Sequence, residues 1–265
     1  MKRIFFASMC MALAIVTSAQ QKEGKVIYTR TVQMQLSIND NDQESQMLPK
    51  SHTDKFELTF GNNQSIWNHV DEEDNNDEVS GNGMQIRMIT PGQNDVVFYD
   101  FTNAKKTEQR EMMEKKFIVT DSIHKLDWKL NGETQTLLGH VCQKATAQRA
   151  GKRTQMTMDN GKMERKEIAD TSNIVAWFTT DIPVPAGPEV QGQLPGLILA
   201  LDVNNGRMIY NAVEISAKAD VASIKEPTKG KKVTPDEYVK ETAKMMDEMQ
   251  KNNQSSGERR VIRIN

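Results

Sequence analysis

Few side chains in this 265-residue chain are suited to chemistry. Cys142 follows His140 by two positions, so an extended backbone puts both on one face. A thiol beside an imidazole can make a thiolate nucleophile or half of a soft-metal site. The plainer reading is a buried structural cysteine next to a turn histidine. Methionine is abundant, with 16 residues, and Met156 and Met158 share a strand face. With His140 and Cys142 they compose a candidate Cu(I) set, because soft ligands prefer soft ions. Met245, Met246 and Met249 fall at helical spacing, where core packing is the better account. The acidic run Asp71-Glu72-Glu73-Asp74-Asn75-Asn76-Asp77-Glu78 offers oxygen ligands. It lacks the mid-loop glycine and terminal bidentate glutamate of an EF-hand, so it reads as a solvated surface loop.

Nucleophilic catalysis needs a nucleophile, a base and a group that orients the base. His52, His69 and His124 have no ligand-like spacing. Gly-x-Ser-x-Gly, His-Glu-x-x-His and phosphate-loop patterns are missing, and pairs such as Glu167 and Asp170 give no reason to propose acid–base work. The expectation is a protein without catalytic activity or cofactor. A hydrolase with Cys142 as nucleophile is the disfavoured alternative, and a periplasmic copper-binding protein using the Met/Cys/His set is the other.

The elements that must position these residues are mostly short strands. In the first, Lys25 to Ile38, Val26, Tyr28, Val32, Met34, Leu36 and Ile38 alternate with polar neighbours, and Arg30 is the one polar exception on the apolar face. Lys55 to Phe60 and Ser65 to Val70 form a hairpin about Gly61-Asn62-Asn63. Met84 to Ile89, Asp95 to Phe101, Lys105 to Glu111, Glu114 to Val119 and Asp127 to Leu130 follow. Asn131-Gly132 reads as a type I′ turn before Gln135 to Leu138. Cys142 to Gln148 and Arg153 to Met158 are expected as separate strands split by Ala150-Gly151.

Asn173 to Thr180 is a further strand, and three prolines between Asp181 and Pro188 force an extended loop. Leu194-Pro195-Gly196-Leu197 has the composition of a β-turn in which Gly196 takes φ > 0. Leu197 to Val203 and Met208 to Ile215 form a hairpin closed by Asn204-Asn205-Gly206. Thr234-Pro235-Asp236-Glu237 is a capping box with proline at the first helical position. It opens a C-terminal amphipathic helix whose face is expected to be Tyr238, Val239, Thr242, Met245, Met246 and Met249.

The order Trp128, Gly139-His140-Val141-Cys142, Lys144-Ala145, Trp177, Asp181-Ile182-Pro183, Gly187-Pro188 and Leu194-Pro195-Gly196-Leu197-Ile198 resembles the GLPGLI family of exported Bacteroidetes proteins. The resemblance covers about residues 125 to 216. It departs at Gln193, where the signature's first glycine is usual and Gly192 stands one place early, and at His140, where an aromatic is usual. It implies export but no settled activity and no catalytic residues.

Met1-Lys2-Arg3, the uncharged apolar run Ile4 to Val16 and the small residues Thr17-Ser18-Ala19 read as a signal peptide over 1–19. Cys10 lies inside the run, without a lipobox lead. Removing that segment takes away Lys2 and Arg3, leaving 32 basic against 36 acidic side chains, a net charge of −4. That balance argues against nucleic acid, which needs a clustered basic face. One cysteine remains in the mature chain, so stability must come from a core without an internal disulfide. No other stretch reaches the ~20 apolar residues of a membrane span.

The expected architecture is mainly β. A curved antiparallel sheet, half-barrel or sandwich-like, spans 20–216, followed by a linker at 217–233, the helix at 234–253 and a tail or edge strand at 254–265. The expected role is binding or assembly in the cell envelope, in the periplasm, at the periplasmic face of the outer membrane, or secreted beyond it. The expected partner is an envelope protein, lipid or peptide. Trp177, Asp181, Pro183, Gly187, Pro188, Leu194, Pro195, Gly196 and Leu197 are the candidate ligand or partner loop, near the working edge of the sheet.

Overall fold

Alternating apolar residues commit the first half of the chain to a meander. β1 (Gly24–Gln33), β2 (Ser51–Gly61) and β3 (Gln64–His69) run antiparallel. The β2–β3 hairpin closes through Asn62 and Asn63 at φ 52° and 58°, the left-handed pair that a two-residue type I′ loop requires. A computed structural model describes residues 21–33, 51–70, 78–81, 84–87, 92–159 and 162–255, except for the side chains within 78–87, 152–167 and 250–255. Outside the described residues lie the 1–19 segment, the expected continuation of the first strand to Ile38, the acidic run Asp71 to Asp77, the 88–89 strand end and 256–265 of the tail.

β4 (Glu78–Gly81) and β5 (Met84–Arg87) make a separate two-stranded hairpin. The other strands join one curled, open sheet: β6 (Val96–Asp100), β7 (Lys105–Met112), β8 (Lys115–Ser122), β9 (Lys129–Leu137), β10 (His140–Asp159), β11 (Lys162–Thr179), β12 (Leu197–Val203), β13 (Met208–Ser216) and β14 (Lys231–Val233). Twelve strands stand in the order β14-β8-β7-β6-β3-β2-β1-β13-β12-β11-β10-β9. All described pairs are antiparallel except β14–β8. The mainly β, curved-sheet architecture with one C-terminal helix is thus what the chain adopts.

Two expected breaks are absent. Asn131-Gly132 does not turn the chain: β9 runs straight through it, with Gly132 at φ 76° in a bulge opposite Lys144. Gly151 does not end a strand either, and β10 continues to Asp159, paired throughout with β11. A long antiparallel partner supplies the hydrogen bonds that overrule a local glycine signal. The Asn204-Asn205-Gly206 hairpin is present, with all three residues left-handed and Asp202 Oδ1 accepting from the Gly206 amide at 2.6 Å.

The segment read as a linker is docked. A 3-10 turn, Val221–Ser223, and Ile224 pack on Ile66 and Phe98. These two side chains are cross-strand partners on the sheet's outer face. Glu226 bonds Lys105 and Thr107 at 2.6 and 2.9 Å. The chain then passes the edge as β14 and enters helix α1 (Pro235–Ser255).

The capping box forms as expected: Thr234 Oγ1 accepts from the Glu237 amide, and Glu237 Oε2 accepts from the Thr234 amide. Tyr238 and Met245 pack on Phe117, Val119 and Val233. Val239, expected on this face, is exposed. Contact of α1 is centred on the β8–β14 edge and reaches Arg110 and Met112 of β7, so its buried stripe is narrow.

Candidate functional site

Cross-strand register sets which side chains share a face. From Arg110–Phe117 across to Ala145–Ala176, the paired positions place Glu108, Arg110, Val97, Tyr99, Lys106, Trp67, Ser65, Arg30, Met208 and Tyr210 on the same face. This is the concave face. Much of it is filled by the chain itself. The loop 181–196 folds into the concavity, burying Ile182, Val184, Ala186, Val190 and Leu194 against Tyr28, Phe56, Phe178 and Leu201. Tyr28 Oη donates to the Ile198 carbonyl at 2.7 Å, and Ser65 Oγ donates to Gln191 Oε1 at 2.6 Å.

The turn chemistry of this loop works differently from expectation. Gly196 does not take positive φ; instead a Cβ there would lie 2.0 Å from the Thr179 carbonyl oxygen. The left-handed glycine is Gly192, at φ 78°, packed against Ile123. Gln193, the departure from the family signature, bonds back across the fold: its Oε1 accepts from the Leu126 amide at 2.9 Å and from Trp128 Nε1 at 3.1 Å.

Of the candidate loop residues, Gly187, Pro188, Leu194, Gly196 and Leu197 are buried, and Pro183 is half-buried. Asp181 and Pro195 are exposed. Trp177 is half-buried, with the Lys144 ammonium 5.8 Å above its ring. The loop is therefore mainly a plug that completes the core.

Beside the plug a cleft of about 410 Å³ remains. Four cations line it (Arg30, Lys106, Arg110 and Arg149), with three carboxylates (Asp95, Glu108 and Glu189) and the aromatic side chains Trp67, Tyr99 and Tyr210. Glu189 joins plug to sheet: it receives Tyr210 Oη on Oε1 at 2.9 Å and Arg149 Nη1 on Oε2 at 3.1 Å, and its carbonyl accepts from Tyr99 Oη. Its φ of 55° is unusual for a residue other than Gly, Asn or Asp, and these three bonds hold it there. Glu108 receives Arg110 Nη2 at 2.8 Å and the Lys106 ammonium at 2.5 Å. Burial raises the pKa of Asp95 despite the nearby Arg110 guanidinium, whose Nε lies 3.7 Å away.

At the back of the cleft Arg30 is 5% exposed and Asp54 is 2% exposed. Arg30 donates to Asp54 Oδ2 through Nη2 at 2.8 Å and Nε at 3.3 Å, and its guanidinium lies 4.6 Å from the Phe56 ring centroid. His52 Nε2 lies 2.8 Å from Asp54 Oδ1, and His69 Nε2 lies 4.0 Å from the same oxygen. Sequence reading marked Arg30 as the polar exception on an apolar face. It did not single out Lys106, Glu108 and Arg110 on β7, Arg149 on β10, Asp95 just before β6 or Glu189 in the plug.

The copper set does not assemble. Cys142 opens β10, whereas Met156 and Met158 lie near its far end, ~45 Å along the strand at the usual rise per residue. The Met156 and Met158 side chains themselves fall outside the described set. His140 Nδ1 faces Asp181 Oδ2 at 3.2 Å. Among the described residues no group of three or more His, Cys, Asp or Glu is placed to hold a metal ion.

The thiol of Cys142 is fully buried, with Sγ donating to the His140 carbonyl at 3.6 Å, and burial pushes its pKa up to about 11. This is a poor nucleophile near neutral pH. In native protein at pH 7.5, labelling of Cys142 by a disulfide reagent should be at least tenfold slower than in urea, where the thiol regains its ordinary pKa of ~8.5. Equal rates would show an accessible thiolate and restore the nucleophile reading.

A family profile described as a protein of unknown function (Porph_ging) matches residues 128–200, the stretch from Trp128 through the plug. Among solved structures, PNGF-II in two crystal forms aligns with this chain at 17% and 18% identity and TM-scores of 0.49 and 0.47. These alignments cover 82% and 83% of this chain, which spans about a third (32%) of the PNGF-II chains. LprF from Mycobacterium bovis aligns at 11% identity and a TM-score of 0.28, over 80% of this chain and 92% of that one. No curated protein sequence matches. Among the described residues no helix is long and apolar enough to cross a membrane.

Proposed function

We propose that this is an exported cell-envelope binding protein without catalytic activity, and that its ligand is a peptide held in the cleft between the concave sheet face and the 181–196 plug. The observation that supports it is the lining of that cleft, which combines four cations, three carboxylates, two phenol hydroxyls and the indole of Trp67. A peptide presents matching groups: backbone donors and acceptors, charged side chains or termini, and apolar side chains for Trp67. A lipid chain would need an apolar concavity, and that volume is occupied by Ile182, Val184, Val190 and Leu194. The Met1 to Ala19 pattern supports export, with the periplasm or the periplasmic face of the outer membrane as the site of action.

The test presents immobilised mature protein with a random hexapeptide pool and, separately, with envelope lipid extract, identifying what is retained by mass spectrometry. Retained peptides, resynthesised, should bind at least tenfold more weakly to Lys106→Glu, which reverses a charge at the cleft rim outside the core. Retention of lipid in place of peptide, or equal affinity for Lys106→Glu, would overturn the reading.

A further inference from the structure

We infer that the cleft recognises an oxyanion on its ligand, a carboxylate or a phosphate, with Arg110 as the principal contact. The inference rests on the binding reading above and names the group that is bound.

Arg110 is already oriented. Glu108 holds Nη2 at 2.8 Å, and the guanidinium lies 5.1 Å from the ring centroid of Tyr238 on α1. Tyr238 is itself fixed edge-on to Phe117 at 5.5 Å. Within this clamp the Nε–H is buried and makes no hydrogen bond. Asp95 Oδ2, at 3.7 Å, is too distant to accept it. A buried donor without an acceptor is costly, and an oriented guanidinium with one donor unused is suited to an incoming oxygen.

The surroundings favour a charged oxygen over a carbonyl. Lys106 shares Glu108 with Arg110, and Arg149 and Arg30 line the same cleft. With Arg30 paired to Asp54, the remaining lining charges are three cations, Lys106, Arg110 and Arg149, and three carboxylates, of which Asp95 is the one disfavoured in its charged form. Asp95 is the carboxylate that stands off Arg110 Nε at 3.7 Å, and burial already makes its charged form less favourable there. A ligand oxyanion reaching Nε would bring to that donor the full hydrogen bond that Asp95 does not make.

The test uses the mature protein and small probes at matched ionic strength: inorganic phosphate, N-acetyl-alanyl-alanine with a free carboxylate, and the same dipeptide as its C-terminal amide. Saturable binding is followed by calorimetry on wild type, Arg110→Gln and Arg110→Lys. The free acid should bind at least tenfold more tightly than the amide. Arg110→Gln should lose roughly 10-fold to 100-fold in affinity, the range of a charged hydrogen bond. Arg110→Lys should recover only part of it, having the charge but not the fork.

Binding of phosphate but not of the free acid supports the inference and assigns the group to phosphate. Equal binding of acid and amide overturns the oxyanion while leaving the peptide reading standing. So does retention of hexapeptides in the preceding experiment with no response to either oxyanion. Because the acid–amide comparison is made on wild type, it holds even where an Arg110 variant folds poorly.

Discussion

Gly196→Ala is expected to destabilise the protein by about 3 kcal/mol or more, a large share of the roughly 5–15 kcal/mol of an ordinary domain. The reason is contact with backbone. A Cβ at this position would meet the Thr179 carbonyl oxygen at 2.0 Å and its carbon at 2.7 Å. Thr179 ends β11, and Leu197 begins β12 as its paired neighbour. Neither strand can retreat without breaking the core contacts of Phe178 and Ile198. Gly206→Ala is the control. That residue is left-handed at φ 87° but has nothing within 4 Å of its missing Cβ, so the change should cost about 1 kcal/mol. Urea unfolding of both variants reads the difference, and similar midpoints would show that the close approach at Gly196 is relieved by a small shift.

The second large effect is expected at Arg30→Met, with a loss of about 3–5 kcal/mol. Asp54 would then keep His52 but lose the guanidinium that donates to it twice, in a place almost without water. An isolated buried charge is far more costly than the pair is stabilising. The double variant Arg30→Met/Asp54→Leu should therefore recover most of the loss. A coupling below about 1 kcal/mol in the double-mutant cycle would show that water or His52 replaces Arg30 at no great cost.

These two residues also show how much could be read before folding was known. The alternation of β1 was plain enough to single out Arg30, because a charge on an apolar face breaks a period-two pattern. Its partner was not legible. Asp54 stands 24 residues away on β2, and only the register Arg30–Asp54 makes them meet. At Gly196 the residue type was informative, but the cause was misassigned. Composition pointed to a left-handed turn, whereas the requirement is room for the Thr179 carbonyl.

The same division holds for the site. The sequence suggested chemistry where reactive residues stand close together, at His140 and Cys142, and there the fold buries the thiol and turns the imidazole to Asp181. The cleft is built from Arg30 on β1, Lys106 and Arg110 on β7, Arg149 on β10 and Glu189 in the plug, which only the fold brings together. Apart from Arg30, each looks like an ordinary surface charge in its own segment.

What the sequence determined by itself is local: strands from alternation, the Asn62-Asn63 and Asn204-Asn205-Gly206 turns from left-handed residue types, and the α1 start from its capping box. Dihedral preference and nearest-neighbour hydrogen bonds act within a few residues, so they can be read in one dimension. The bridging of Gly132 and Gly151 by continuous strands, the folding of the proline loop into the concavity and the convergence of the cleft charges were decided by tertiary pairing. Register between distant strands selects which side chains share a face, and burial then determines which of those charges must find a partner.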